Sequence, residues 1–273
     1  EHKATYWAVT GEEDRLQGYS GYERATRLFN EQLGTEDEDE WRAHAPDEAH
    51  PSVDDEGEKI ALYKRVAELF LEKFRNQAEA IKAYESVLEL EPHDADALEF
   101  LTEMYEKRRD WKKLVSARRR SVEAIEELDE KVEGLKEVAQ LASDKLRKPD
   151  VATELWLEVR GHATQDRAAL DSLEKLYEKA REYEALAEIV EQKVEVVDDS
   201  SEAMKLYQKL GMLYSDRLEE AESAISAWQR ALEIDPDDRK ARKALERLYV
   251  DNRKWDALEE FYAERDEHRD RGD

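Results

Sequence analysis

The sequence predicts an all-α protein: a solenoid of about six helix-turn-helix repeats. Three observations predict it. Apolar residues recur at spacings of three and four with charges between them. Glycine becomes sparse after residue 57, and the chain matches itself without a gap at an offset of 72 residues. The 42% of charged side chains also suits an elongated array, which has much surface per residue.

Small and aromatic residues at fixed positions define the 72-residue double repeat. Alanine recurs at Ala80, Ala152 and Ala224, and an aromatic residue follows four positions later each time. We expect the alanines to let paired helices approach closely and the aromatic rings to fill the space toward the next pair. The remaining matches are Tyr84/Trp156/Trp228, Leu101/Leu173/Leu245, Tyr105/Tyr177/Tyr249, Trp111/Tyr183/Trp255 and Leu114/Leu186/Leu258.

Helix boundaries recur at the same offset. Asp94, Asp166 and Asp238 each precede an apolar-periodic run, where a carboxylate accepts hydrogen bonds from free N–H groups. Gly57, Asp129 and Ser201 are the expected starts of the other helices, and Pro92 and Pro236 fall just past helix ends. Each double repeat should hold four helices of roughly 14–18 residues. The double repeats span 57–128, 129–200 and 201–270.

Residues 1–56 form a separate acidic segment that contains glycine and proline. They carry 16 acidic and 5 basic residues, and only Tyr22 to Leu33 reads as a helix, within about 20–33. The run Glu36 to Glu40 is expected to be solvated. This segment would act as a linker, cap the array or occupy its groove.

Composition limits the partners and the chemistry. A net charge of −26 disfavours nucleic acid and anionic lipid, and no apolar window is long enough for membrane insertion. The chain has no cysteine, and His44 and His50 have no recognised ligand spacing, so neither a metal nor another cofactor is predicted. A soluble protein is expected, with the cytoplasm favoured. Because the chain begins at Glu1, we expect a processed product or a piece of a longer protein.

Catalytic motifs are missing from the sequence. It contains no glycine-rich phosphate loop, no G-x-S-x-G elbow and no H-E-x-x-H. The recurring tryptophans and tyrosines occupy repeat positions, which is typical of a core rather than of a cofactor site. The sequence therefore does not predict an enzyme.

The first helix pair of the third double repeat resembles a tetratricopeptide repeat. Tyr207, Leu210, Gly211 and Tyr214 match the family pattern W-x2-L-G-x2-Y, with one extra residue before the second helix. That helix matches A-x3-F-x2-A-x4-P with Ala224, Trp228, Ala231 and Pro236. The first double repeat matches more loosely, and the second pair of every double repeat diverges further. The resemblance implies a right-handed α–α superhelix. Its concave groove, lined by the first helix of each pair, would bind a peptide or protein segment.

Family positions carried onto this chain predict the residues that line the groove. They would make it acidic toward its N-terminal end and basic toward its C-terminal end, so that it could orient a partner of opposite polarity. A solvated helix face without a ligand is the alternative. The predicted residues are Asp96, Glu99, Glu103 and Glu106, then Asp171, Lys175 and Glu178, then Lys205, Gln208, Met212, Lys240, Lys243 and Arg247.

A subset of the family binds chaperone C-termini through a clamp of lysine and asparagine. The positions that need asparagine hold Met212 and Lys209 in the third double repeat, and Glu68 and Arg65 in the first. A chaperone-tail adaptor is therefore disfavoured.

A second basic cluster stands out in so acidic a chain. It could face an external acidic partner, dock the Glu36–Glu40 run, or pair locally with neighbouring glutamates, which is the favoured interpretation. The cluster contains Lys112, Lys113, Arg118, Arg119 and Arg120, preceded by Lys107, Arg108 and Arg109.

The sequence thus favours a protein-binding scaffold or adaptor whose partner is unidentified. One alternative is a structural array that stacks on copies of itself or on the rest of a parent chain. Another is the regulatory array of a larger enzyme or signalling protein. The polar end of the helix expected at Trp255–Asp270 is typical of a capping helix.

Overall fold

The computed structural model describes the backbone of residues 56–270, and side chains at 56, 57 and 59–263. The predicted helix at 20–33, the acidic run and the two loop histidines lie outside these residues. Within them the all-α prediction is confirmed, since the structure consists of twelve α-helices in sequential antiparallel pairs, with no strand. They form a tetratricopeptide-like helical repeat array.

The helices have the lengths that the sequence predicts, between 13 and 18 residues. Their bounds are α1 Glu56–Glu72, α2 Gln77–Leu90, α3 Ala95–Arg108, α4 Trp111–Glu123, α5 Leu128–Lys145, α6 Pro149–His162, α7 Arg167–Ala180, α8 Tyr183–Val196, α9 Ser200–Leu213, α10 Ala221–Ile234, α11 Arg239–Asp251 and α12 Trp255–Asp270.

Contacts divide the chain into two compact halves, at a point inside α5. The N-terminal half ends at Gly134 and the C-terminal half begins at Leu135. The N-terminal half therefore holds α1–α4 and the start of α5, while the C-terminal half holds the rest of α5 and α6–α12.

The predicted aspartate caps are confirmed, and the other predicted starts need correction. Asp94, Asp166 and Asp238 are the N-caps of α3, α7 and α11, and each side chain accepts a backbone N–H of the first turn. Gly57, Asp129 and Ser201 instead lie inside the first turns of α1, α5 and α9. Asp199 caps α9 and accepts the Ser201 N–H. The sequence pattern missed this cap because Asp198, Asp199, Ser200 and Ser201 are all permitted cap types in one run.

Arginine occupies a left-handed conformation at the same place in every second pair. Arg109, Arg181 and Arg253 have φ angles of 57°, 62° and 56°, in the region that glycine adopts most easily. Their positions are 72 residues apart, so the turn between the two helices is itself part of the repeat.

The small and aromatic repeat positions form the core, as predicted. Ala80, Ala152 and Ala224 are at most 1% exposed. The aromatic residues four positions later, Tyr84, Trp156 and Trp228, are also buried. Burial of such rings contributes strongly to stability because each removes a large apolar surface from water.

The third double repeat combines a glycine with a tryptophan at its first helix crossing. A Cβ added at Gly211 would lie 2.4 Å from Cε2 of Trp228, so the ring occupies the space that a side chain would need. Ala67 and Ala139 stand at the equivalent positions of the other double repeats. Glycine is needed here because the ring lies against the α9 backbone.

The extra residue before the second helix is accommodated by a π-helical turn. Residues Tyr214–Leu218 continue α9 in this wider form, and Glu219 closes the turn with a φ angle of 58°. A single inserted residue commonly widens one helical turn in this way.

We predict that Gly211→Ala destabilises the protein by roughly 1–3 kcal/mol, because the new methyl group overlaps the Trp228 ring. The measurement is the free energy of unfolding from urea titration. The matched background is Trp228→Tyr, which together with Gly211→Ala reproduces the Ala67–Tyr84 pair of the first double repeat. The loss should shrink in that background; an equal loss in both backgrounds would contradict this account of the glycine.

Candidate functional site

The first helices of successive pairs are joined through the N-cap aspartates. Lys64 of α1 contacts Asp94, the cap of α3, at 2.5 Å. Lys136 contacts Asp166, the cap of α7, at 3.0 Å. Gln208 of α9 donates to Asp238, the cap of α11, at 2.6 Å. Each aspartate thus caps its own helix and accepts a group from the preceding pair, which fixes one first helix against the next.

The Lys64 contact is the most strongly charged of the three. Lys64 also pairs with Asp96 at 2.7 Å. Burial lowers the pKa of Lys64, but the hydrogen bonds and charges of Asp94 and Asp96 outweigh burial and raise it to about 12. Asp96, a predicted groove residue, is therefore already paired inside the N-terminal half.

A five-residue charge network joins α7, α8 and α9. Lys193 of α8 is 7% exposed and lies 2.5 Å from carboxylate oxygens of both Asp171 and Glu174. Lys209 of α9 contacts Glu174 at 2.7 Å and Glu178 at 2.9 Å. Two lysines thus share three carboxylates, which is what keeps a buried ammonium ion compensated.

The network lowers the pKa of Glu174. Burial alone raises this pKa, but the hydrogen bonds and charges of Lys193 and Lys209 outweigh burial. The pKa values of Lys193 and Lys209 are raised despite burial, by the same carboxylates. Asp171 and Glu178, two predicted groove acids, are therefore already paired with lysines of the chain itself.

The C-terminal half presents one exposed surface built from α7, α9 and α11, which we call the α7–α9–α11 face. The links from Glu174 and Glu178 to Lys209, and from Gln208 to Asp238, place the three helices side by side. The exposed cations of the face are Lys175, Lys205, Lys240, Lys243 and Arg247.

Three of these cations have neither an ionic partner nor a ring contact among the described residues: Lys175, Lys205 and Lys243. Lys240 lies over the Trp228 ring, 5.8 Å from its centroid. Arg247 is 80% exposed and pairs with Asp251 at 3.3 Å, an exposed contact of small worth. The face consequently carries uncompensated positive charge.

Apolar side chains also reach solvent on the α7–α9–α11 face. Met212 on α9 is 38% exposed, and Val250, one turn beyond Arg247 on α11, is 43% exposed. The other exposed large hydrophobic residues of the described part are Leu128 and Trp255.

The predicted acidic end of the groove lies in the N-terminal half, where most of its residues are paired. Glu103 pairs with Lys107, and Glu106 lies 3.5 Å from Arg118. Glu99 is exposed and has no ion pair among the described residues. Most of the predicted acidic residues are thus already paired, whereas most of the predicted basic residues form no ion pair among the described residues.

The second basic cluster also pairs in part with nearby glutamates. Lys113 lies 2.5 Å from Glu85 and over the Tyr105 ring. Arg118 contacts Glu106, and Arg119 contacts Glu123 at 3.3 Å. The Arg120 carbonyl lies 3.0 Å from Nδ1 of His93. Lys112 is exposed, with no partner in the described part of the chain.

Sequence reasoning missed Lys64, Lys136, Lys193, Lys209 and Val250. The contacts to the caps carried a signal, since Lys64, Lys136 and Gln208 are 72 residues apart, like the aspartates that they contact. The charge network carried none. The positions equivalent to Lys193 and Glu174 in the first double repeat are Ser121 and Thr102, so the network is not part of the repeat.

Two further searches of the described residues bear on the site. None of the helices combines the length and the apolar character that a membrane crossing requires. Across the same residues, no group of three or more histidine, aspartate or glutamate side chains is arranged to hold a metal ion.

Comparison with known families identifies the repeat. Residues 97–133 match a family model described as the tetratricopeptide repeat, which covers α3, α4 and the beginning of α5. The chain therefore contains a tetratricopeptide repeat. The match falls on the second pair of the first double repeat, although the family pattern is more complete at Tyr207–Pro236. No curated protein matches the sequence.

Several solved tetratricopeptide repeat structures are similar to this protein. YrrB, described as having an unusual peptide-binding site, is 18% identical, with 69% of this chain and 93% of that chain covered and a TM-score of 0.34. MamA from Desulfovibrio magneticus is 18% identical, with coverages of 76% and 93% and a TM-score of 0.33. A C-terminal part of a Cytophaga hutchinsonii repeat protein is 12% identical, with coverages of 89% and 98% and a TM-score of 0.36. At these TM-scores the likenesses say nothing about function.

We predict that Glu174→Gln lowers the free energy of unfolding by roughly 1–2 kcal/mol at pH 7, because it removes a charge-assisted acceptor of two lysines. A carboxyl whose pKa is lower in the folded state stabilises above its unfolded pKa, about 4.3, and this contribution disappears as the pH falls through the folded pKa. Urea titrations at pH 7, 5 and 3 would measure it.

The control is Glu184→Gln on α8, since Glu184 is exposed and has no ion pair in the described region. The difference between the two variants should be largest at pH 7 and smallest at pH 3. A difference that stays constant with pH would show that the charge of Glu174 is not what stabilises the network.

Proposed function

We propose that this tetratricopeptide repeat protein is a scaffold that holds a segment of a protein partner on the α7–α9–α11 face. The observation that carries the proposal is the set of exposed cations on three neighbouring first helices, in a chain whose net charge is −26. Water solvates an exposed glutamate as well as it solvates an exposed lysine, so solubility does not require lysines here. A cluster of exposed lysines on an otherwise acidic protein therefore favours an interaction with a partner.

The fold supports the same proposal. Tetratricopeptide repeat proteins are generally protein–protein interaction scaffolds, and the fold is typically non-catalytic. The contacts between the caps and the preceding helices hold α9 and α11 in one register, and the network does so for α7 and α9. A surface fixed in this way can bind without first being ordered, which lowers the entropy lost on association.

Affinity capture with charge-reversed baits tests the proposal. The baits are the full chain, a face variant carrying Lys175→Glu, Lys205→Glu and Lys243→Glu, and a control carrying Lys112→Glu, Arg147→Glu and Lys148→Glu. All six residues are exposed and have no ion pair among the described residues, and both variants change the net charge equally. A protein retained by the full chain and the control but lost from the face variant is the expected result.

Identical captures by all three baits would contradict the proposal, because the partner would then bind elsewhere. Circular dichroism of the three baits should be the same, since none of the changes removes a contact of the described residues.

A second candidate function is self-association, which the exposure of Trp255 favours. Trp255 is 57% exposed, whereas the equivalent residues Trp111 and Tyr183 are partly buried. Arg217 of the following pair lies over the Tyr183 ring, 5.3 Å from its centroid. A second copy of the chain that covered Trp255 would supply the kind of contact that the following pair supplies to Tyr183.

Sedimentation equilibrium over a range of protein concentrations tests this candidate. The unchanged chain should associate, and Trp255→Ser should remain a monomer at concentrations where Leu128→Ser still associates. Leu128 is the control because it is 50% exposed and lies in the N-terminal half. A monomer at every concentration for the unchanged chain would dispose of the candidate.

A further inference from the structure

The acidic side chains beside the α7–α9–α11 face are already used inside the protein. Asp171 and Glu174 hold Lys193, and Glu178 holds Lys209. Asp238 caps α11 and accepts a hydrogen bond from Gln208. A basic partner would have to compete with these short internal contacts for every one of these carboxylates.

The basic side chains have the opposite status. Lys175, Lys205 and Lys243 are exposed and form no ion pair with a carboxylate of the described residues. Binding a carboxylate there adds an ion pair without breaking one. The charges of the face that are not already paired within the described residues are therefore positive.

The negative charge of the whole chain does not cancel this local charge. At physiological ionic strength the potential of an exposed charge decays over about 8 Å. Much of the −26 arises from residues 1–56, with 16 acidic and 5 basic residues. At contact distance a partner experiences mainly the lysines that it touches.

Met212 and Val250 favour a partner that also carries apolar side chains. Both are exposed among the cations, on α9 and α11. Methionine is unbranched and polarizable, so it adapts to aliphatic and aromatic side chains of different shapes. A partner that buried both residues would gain apolar contact in addition to its ion pairs.

We propose that the occupant of the α7–α9–α11 face is an acidic protein segment in which one or more aliphatic or aromatic side chains stand between aspartates and glutamates. This inference rests on the proposed scaffold function and states which segment the scaffold takes. Nucleic acid also carries negative charge, but its charged groups form a regular phosphate backbone. The exposed Met212 and Val250 lie among lysines and favour a segment that carries acidic and apolar side chains together.

Selection from a phage-displayed library of random dodecapeptides tests the inference without assuming a sequence. The full chain is the bait, and the face variant with Lys175→Glu, Lys205→Glu and Lys243→Glu removes peptides that bind elsewhere. The expected result is enrichment of aspartate and glutamate together with at least one large apolar residue. By fluorescence anisotropy, a selected peptide should bind the face variant at least tenfold more weakly, and its affinity should fall as salt rises.

Two controls separate the charge from the apolar contact. The Lys112→Glu, Arg147→Glu and Lys148→Glu variant should bind the selected peptide as the full chain does. Met212→Gln should weaken the binding of the selected peptide. It should not change the binding of a second peptide in which the apolar residue is replaced by serine. Equal loss for both peptides would show that Met212 makes no contact with the apolar side chain.

Each of the other outcomes would contradict either the acidic partner or the scaffold proposal. Enrichment of basic or uncharged peptides that depend on the face would overturn the acidic partner and leave the scaffold proposal standing. No enrichment over the face variant would overturn both. Labelled oligothymidylate that bound more tightly than the selected peptides, and that was lost with the same three lysines, would assign the face to nucleic acid instead.

Discussion

The N-cap aspartates are the contacts on which the rest of this structure depends. Each carboxylate caps the N-terminus of a helix and also contacts a lysine or glutamine from the preceding helix pair. One side chain therefore sets both the start of its own helix and the position of the neighbouring helix. A carboxylate suits both tasks because its two oxygens offer several acceptor directions. Wherever this contact recurs, the first helices line up, and exposed residues on them come to lie on one surface.

The charge network and the α7–α9–α11 face are two sides of one arrangement. Because Lys193 and Lys209 engage the acids of α7, the neighbouring Lys175 and Lys205 are left exposed, with no ionic partner in the described part of the chain. A buried ion pair contributes little net stability once desolvation is counted. Its consequence here is an electrostatic one, since two lysines offset most of the negative charge of the three carboxylates beside the face.

Much of the fold followed from the sequence, because a packing rule repeated three times leaves the same residues at the same spacing. The alanines, the aromatic rings and the capping aspartates all recur at 72 residues, and they form the core and the helix starts. The candidate site was harder to predict from the sequence. Family positions placed Lys175, Lys205 and Lys243 on first helices, but whether Asp171 or Glu178 remains available depends on lysines from other helices, which no spacing along the chain reports.

The third cap contact differs from the other two in a way that affects how the array responds to its surroundings. Gln208 stands where Lys64 and Lys136 stand, so the link to Asp238 is a hydrogen bond between an amide and a carboxylate rather than an ion pair. Salt weakens an ion pair more than it weakens a hydrogen bond from a neutral amide. The junction between α9 and α11 is therefore less sensitive to ionic strength than the two junctions that lysines link.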